Sequence, residues 1–276
     1  MEPTSELLLD VRHLSKTFPL KKSKTNKAPS FKAVDDVSFQ VFEGETLGIV
    51  GESGSGKSTV AKMILQLLEP TNGEIYFLGQ NLANQSKAES KATKRRMQAV
   101  FQDPYASLNP RMRAKEIVTE PLILHKQLNK KNRDDKALEL LHEVGLSEQH
   151  LNRFPHEFSG GQRQRLSIAR AIALKPDLII CDEAVSALDV SIQAQILKLL
   201  KSLQTSYGLS YIFIAHGLPT VKQLSNRVAI MHKGKIVEIG ETNDIFQSPT
   251  HTYTKSLLKA VPPSHPRDRH KPSIGG

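Results

Sequence analysis

Apolar and polar residues alternate over positions 7–12 and again over 34–41, the period of half-buried β-strands. Between them KKSKTNKAPS (21–30) is polar and lysine-rich with a proline near its end, and reads as an exposed loop in which the Lys21–Lys27 cluster is solvated. TLGIV (46–50) is a short apolar run that stops at a glycine. The period then changes: in KSTVAKMILQLL (57–68) apolar residues recur at helical spacing and end before Glu69-Pro70. Thr71-Asn72-Gly73 predicts a turn into a further strand, EIYFL, and residues 97–101 predict another. From about 103 to 158 prolines, short helical patterns and few β-branched runs predict a helical insertion. Strand and helix patterns alternate again through DLIICDE, VSIQAQILKLLKSLQ, YIFIAH and RVAIMHKGKIVEIG. Antiparallel strands followed by βαβ units predict an α/β fold, with a mostly parallel sheet and helices on both its faces.

The chain has 276 residues and 38% hydrophobic content, enough for a sizeable core in one large domain or two small ones. Its 38 basic and 28 acidic residues give a net charge of +10. That charge suits nucleic acid, anionic lipid or a phosphate-bearing ligand, or simply a solvated basic surface. Cys181 is the single cysteine, so no internal disulfide and no cysteine-held cluster fits, which suits a reducing compartment. MEPTSELLLDVRH has no long apolar core and does not read as a secretory signal, and no run of about 18 apolar residues predicts a membrane span. His251, His265 and His270 lack metal-site spacing.

The chemistry begins at Gly51-Glu52-Ser53-Gly54-Ser55-Gly56-Lys57-Ser58, a G-x-x-x-x-G-K-[ST] loop with a strand before it and a helix after it. Its glycines allow a tight turn that aims backbone N–H groups at phosphate oxygens. Lys57 supplies a point charge to the β- and γ-phosphates, Ser58 offers a hydroxyl to Mg²⁺, Thr59 faces the α-phosphate, and the helix N-terminus adds its partial positive charge. A second signature is the apolar run Leu178–Cys181 that delivers Asp182 and Glu183 at its end. Asp182 is placed to hold Mg²⁺ through water and Glu183 to polarise an attacking water. Together the two signatures predict nucleoside triphosphate hydrolysis. Ser159-Gly160-Gly161-Gln162, at the start of another helical run, admits two readings. It fits a capping box, Ser159 with Gln162. It also offers an anion cradle, surplus in a chain that already owns a phosphate loop, and so suited to a nucleotide on another subunit.

FSGGQRQR shortly before LIICDE resembles the signature motif of ATP-binding cassette proteins, with Phe158 where leucine is commoner. Further matches cover nearly the whole chain: Gln102 in VFQDP resembles the glutamine loop, Ser186–Asp189 the loop that communicates across a dimer, His216 in YIFIAH the switch histidine, and Phe18 the aromatic that stacks on adenine. The resemblance implies a P-loop NTPase of the ABC type, with a RecA-like core, an antiparallel β subdomain and an inserted helical subdomain. The implied division is 1–102 (core, first part, with the β subdomain), 103–168 (helical), 169–248 (core, second part) and 249–276 (C-terminal extension). It implies catalytic roles for Glu183, His216 and Gln102. It implies ATP held by Phe18, residues 51–59 and a partner's Ser159, Gly160, Gly161 and Gln162, with Mg²⁺ on Ser58, Gln102 and Asp182.

FQDPYASLNPRM and SPTHTYTKSLLKAVP narrow the resemblance to the ATPase subunits of bacterial oligopeptide, dipeptide and nickel importers. Thr252 stands where that tail commonly has proline, Ala184 where proline usually follows the glutamate, and Gly217 where aspartate usually follows the histidine. Some members hold an iron–sulfur centre after this tail; without the cysteines none is expected here. The implied assembly pairs this chain with a second, related ATPase, two membrane permeases and an extracytoplasmic binding protein. It would sit peripherally on the cytoplasmic face of the membrane, with no nucleic-acid partner. An exporter or antimicrobial-peptide resistance system would carry the same motifs, since the permeases set direction. A DNA-repair ATPase would insert long coiled coils, and no heptad run appears; a cytosolic translation factor would carry two cassettes.

Overall fold

The two alternating stretches become β1 (Leu7–Pro19) and β2 (Ser30–Phe42), paired antiparallel, in the computed structural model, which describes residues 6–19 and 30–260. The Lys21–Lys27 cluster, His265 and His270 lie outside the described residues. TLGIV forms β3 (Thr46–Val50) and leads to helix α1 (Lys57–Ile64). The helix is shorter than the periodicity of 57–68 predicts. Gln66 turns left-handed at φ 55°, and the N–H groups of Leu67 and Leu68 both return to the Lys62 carbonyl, which closes the last turn. The strands β4 (Asn72–Phe77) and β5 (Gln80–Asn81) complete a four-stranded antiparallel sheet of order β2-β1-β4-β5.

Helix α2 (Lys87–Arg96) carries little apolar period but is closed at both ends. Ser86 Oγ accepts from Glu89 N–H, the Glu89 carboxylate accepts from Ser86 N–H, and Lys94, Arg95 and Arg96 fill its last turn. After β6 (Met97–Phe101) come the helices α3 (Pro104–Ser107), α4 (Ala114–Leu124), α5 (Arg133–Glu143) and α6 (Gly160–Ile172), the expected insertion. The boundary expected at 168 falls inside α6, which is one continuous helix. The chain continues through β7 (Leu178–Asp182), α7 (Val190–Tyr207), β8 (Ser210–Ala215), α8 (Leu218–Leu224), β9 (Arg227–His232), β10 (Lys235–Glu241), α9 (Thr242–Gln247) and α10 (Thr252–Lys259).

The second sheet has six strands in the order β10-β9-β3-β8-β7-β6, all parallel except β10. Its central strands are apolar throughout because both faces are buried. Leu178, Ile180, Ile212, Ile214 and Met231 point into one cluster, with α1, β1, β2 and β4. Ile179, Cys181, Tyr211, Phe213 and Ile230 point into the other, with the inserted helices. Each fully buried Leu, Ile or Phe stabilises by about 1.5–3 kcal/mol, so the period-2 pleat ties the sheet to both layers at once. One expectation is corrected here: helices alone do not cover both faces. The antiparallel sheet and α1 cover one, because the amphipathic β1, β2 and β4 need an apolar partner for their inner faces.

Candidate active site

Parallel register sets the site. Val50 of β3 lies opposite Ala215 of β8, Asp182 of β7 opposite Ile214 of β8, and Phe101 of β6 opposite Asp182. Gly51, His216, Glu183 and Gln102 therefore leave the sheet at the same carboxyl edge, where open α/β sheets bind ligands. Four residues far apart in sequence become neighbours because the strands that precede them run the same way.

The loop of residues 51–58 ends on Gly56, the N-cap of α1. Gly56 has φ 105°, and a Cβ there would stand 2.5 Å from the Ala33 carbonyl, so only glycine fits. No side chain caps α1, which leaves its first N–H groups for an anion. Lys57 is only 3% exposed, and its Nζ donates to the Gly51 and Glu52 carbonyls at 2.8 and 2.9 Å. Burial pulls its pKa down, against the opposing pull of Glu183 and Asp182. Ser58 Oγ donates to Asp182 Oδ1 at 3.0 Å. Burial pushes the Asp182 pKa up, and the Ser58 hydrogen bond works against it.

Glu183 is buried and left-handed, with φ 53°. That conformation costs about 1–3 kcal/mol in a non-glycine residue and clusters at functional sites. The Glu183 N–H donates to the Ile214 carbonyl at 3.0 Å, and Oε1 lies 2.5 Å from His216 Nε2. Glu183 and His216 line the same cleft as Ser53, Gly54 and Gly56–Thr59, with a volume of about 260 Å³. Phe18 stands at its edge, and so does Phe31, its register partner on β2. Phe31 is half exposed, and the sequence reading missed it. The signal was available: an apolar residue at the outer end of β2 with no core to fill. Two adjacent aromatic faces make a stacking platform for a base.

Gln102 is exposed just beyond β6 and does not line this cleft. The residues present fit Mg²⁺ nonetheless. Ser58 and Asp182 bring two hard oxygens together, and Mg²⁺ takes few protein ligands, relying on substrate phosphates and water for the rest. No cluster of three or more His, Cys, Asp or Glu that could hold a metal occurs among the described residues.

Residues 159–162 stand at the start of α6 and none lines the cleft. The capping box forms: Ser159 Oγ accepts from Gln162 N–H at 3.3 Å, and Gln162 Oε1 accepts from Ser159 N–H at 3.0 Å. The Gly160 and Gly161 N–H groups stay outside the box. A Cβ on Gly161 would stand 2.6 Å from Ile192 Cγ2, so this glycine also lets α6 approach α7. Behind these residues the chain is cross-tied. Arg170 of α6 donates to the Ser107 carbonyl at 2.6 Å, binding the end of α3 to α6, and Gln193 of α7 donates to Thr220 of α8 at 2.8 Å. Ser186 Oγ donates to the Glu183 carbonyl at 2.9 Å. Cys181 is fully buried in β7 and its thiol is pushed up to about 12, which leaves it a packing residue.

The sequence and fold have counterparts among known proteins. A family model described as ABC transporter matches residues 34–186, and one described as oligopeptide/dipeptide transporter, C-terminal region, matches residues 237–276. The chain is 48% identical over 279 residues to the oligopeptide transport ATP-binding protein OppF of Bacillus subtilis (strain 168), a match covering 98% of this chain and 90% of that protein. It is 46% identical over 264 residues to the dipeptide transport ATP-binding protein DppF of Escherichia coli (strain K12), covering 96% and 79%. Among solved structures it superposes on the dimeric post-hydrolysis state of the ATP-binding cassette MJ0796 bound to ADP and phosphate. There the TM-score is 0.74 and the identity 30%, over 85% of this chain and 99% of that one.

Proposed function

The chain belongs to the ABC transporter family, and on that premise we propose that it is the ATP-hydrolysing subunit of a peptide importer, with the cleft of Lys57, Glu183 and His216 as its working site. The observation that carries this reading is the meeting of three groups in one cleft: the uncapped α1 with Lys57, the Ser58–Asp182 pair and the Glu183–His216 pair. Each suits one part of phosphoryl transfer, which depends on positioning and charge far more than on covalent chemistry by the protein.

ATP is held by the backbone N–H groups of residues 51–56, with its adenine on Phe18 and Phe31 and its α-phosphate at Thr59. Lys57 exchanges the Gly51 and Glu52 carbonyls for phosphate oxygens. Ser58 and Asp182 would hold Mg²⁺, which when bound draws charge from the phosphates. Glu183 orients the attacking water and accepts its proton. His216 releases Glu183 to reach the γ-phosphate. A partner cassette's Ser159–Gln162 closes over that phosphate, so a pair of chains shares two sites. The dimeric assembly of the solved cassette supports this arrangement. Closure moves the inserted helices and, through them, two membrane permeases.

Peptide is the cargo class that the names of the similar proteins support. The further expectations are an unequal pair of ATPases, an extracytoplasmic binding protein and peripheral attachment at the cytoplasmic face. No helix among the described residues is long and apolar enough to cross a membrane.

Glu183→Gln tests the assignment. It should bind ATP, trap a closed dimer on size-exclusion chromatography, and lower phosphate release about 10²–10⁴-fold, the usual contribution of a general base. Wild-type-like phosphate release by this variant with its partners present would refute the role.

A further inference from the structure

The phosphate loop is held from behind by a residue that the mechanism above does not use. Tyr253, on α10, sets its ring against His232 at the end of β9, with ring centroids 3.9 Å apart and the planes tilted by 33°. Its hydroxyl accepts a hydrogen bond from the Glu52 N–H at 3.3 Å. The Glu52 nitrogen and the Gly51 carbonyl belong to one planar peptide unit. The carbonyl end of that unit accepts from Lys57 Nζ at 2.8 Å. Tyr253 and the phosphate-binding lysine thus grip opposite ends of the same peptide plane.

Tyr253 comes to the loop on a fixed frame. The Glu238 carboxylate of β10 accepts from Thr250 N–H at 2.6 Å, from the Thr250 hydroxyl at 2.8 Å and from His251 N–H at 3.1 Å, fixing the entry to α10. Leu257 and Leu258 pack on the helical-side core. The neighbouring β9–β10 turn ties the loop a second time, where Gly234 N–H donates to the Ser55 carbonyl at 3.0 Å.

We propose that Tyr253 is a positioning residue for ATP. When Lys57 leaves the Gly51 carbonyl for the phosphates, the Gly51–Glu52 peptide loses one of its two anchors. The Tyr253 hydroxyl is the other, and it keeps that peptide from turning while the ligand enters. ATP then meets a loop already in its binding shape, and the ordering cost of the loop is met in the fold rather than at binding. The C-terminal segment, which touches no catalytic group, thereby sets nucleotide affinity. This inference rests on the reading of residues 51–58 as the ATP loop.

Tyr253→Phe is the test, since it removes the hydroxyl and keeps the ring on His232. The expected result in the assembled transporter is a KM for ATP raised about two- to tenfold, the worth of one hydrogen bond, with kcat unchanged. ATP affinity of the isolated chain should fall by the same factor, and the nucleotide-free melting temperature should fall by no more than the loss of one hydrogen bond allows. Tyr253→Ala should weaken ATP at least as much. An unchanged KM, a fall in kcat at constant KM, or a KM rise accompanied by a nucleotide-free melting temperature lowered by more than one hydrogen bond's worth would each overturn the proposal. Lys57→Ala separates it from its premise. If the wild-type chain binds ATP in a Lys57-dependent way and Tyr253→Phe matches wild type, only the role of Tyr253 fails. If Lys57→Ala leaves ATP affinity intact, the assignment of the loop fails.

Discussion

Gly217 caps α8 without a side chain, and its backbone is extended at φ −95°. A Cβ there would meet nothing closer than Thr220 Oγ1 at 3.6 Å, ordinary van der Waals contact. An aspartate fits this space and could accept from the open N–H groups of the first turn. Gly217→Asp should therefore stabilise the chain by roughly a few tenths of a kcal/mol, read as a shift in the urea midpoint at constant m-value. A destabilised variant would mean that the loop after His216 needs glycine for its backbone. The change is local and leaves Glu183 and His216 where they are. Thr252 is the parallel case, the first residue of α10, where an N–H has no intrahelical acceptor and proline is well accommodated. Neither departure removes a group that touches the cleft.

At the scale of elements, α10 is held by charge. Burial acts to raise the pKa of Glu238, but the Thr254 hydroxyl and the hydrogen bonds from Thr250 and His251 outweigh it and leave it below its ordinary 4.5. A carboxylate with a depressed folded pKa adds stability that is whole above its unfolded pKa and is lost as pH falls through the folded value. Amide protection of α10 should therefore be pH-independent near neutrality and weaken below pH 4.5, and Glu238→Gln should flatten that dependence. Hydrogen exchange followed peptide by peptide checks this; acid-insensitive protection of α10 in the wild type would contradict it. The elements themselves were unevenly legible. The strands β3, β7 and β8 announce themselves because burial on both faces demands continuous apolar runs. Helix α2 has little apolar face to read, although Ser86 and Glu89 carry its start signal. The early end of α1 depends on where Gln66 turns, which periodicity cannot register.

The whole molecule keeps apart the two features proposed to bind phosphate. Residues 51–59 line the cleft, whereas residues 159–162 open α6 on the helical side and do not reach it. Ser159→Arg should therefore leave ATP affinity of the isolated chain unchanged while abolishing phosphate release by the assembled transporter. Weakened ATP binding in the isolated chain would mean that the motif serves its own cleft. The residue patterns of both features were legible in the sequence, because the glycine spacing of each, and the lysine of the first, are local requirements of the proposed phosphate binding that need no distant partner. The alternation of apolar residues likewise determined which strands exist and that they stack into buried layers. Other features are matters of approach between residues far apart in the chain, and only the tertiary structure decided them. They are the antiparallel sheet that covers one face, the pairing of Phe31 with Phe18, the Glu183–His216 contact, the packing of Gly161 on Ile192 and the grip of Tyr253 on Glu52. Register and packing set such distances, and no local pattern of residue types encodes them.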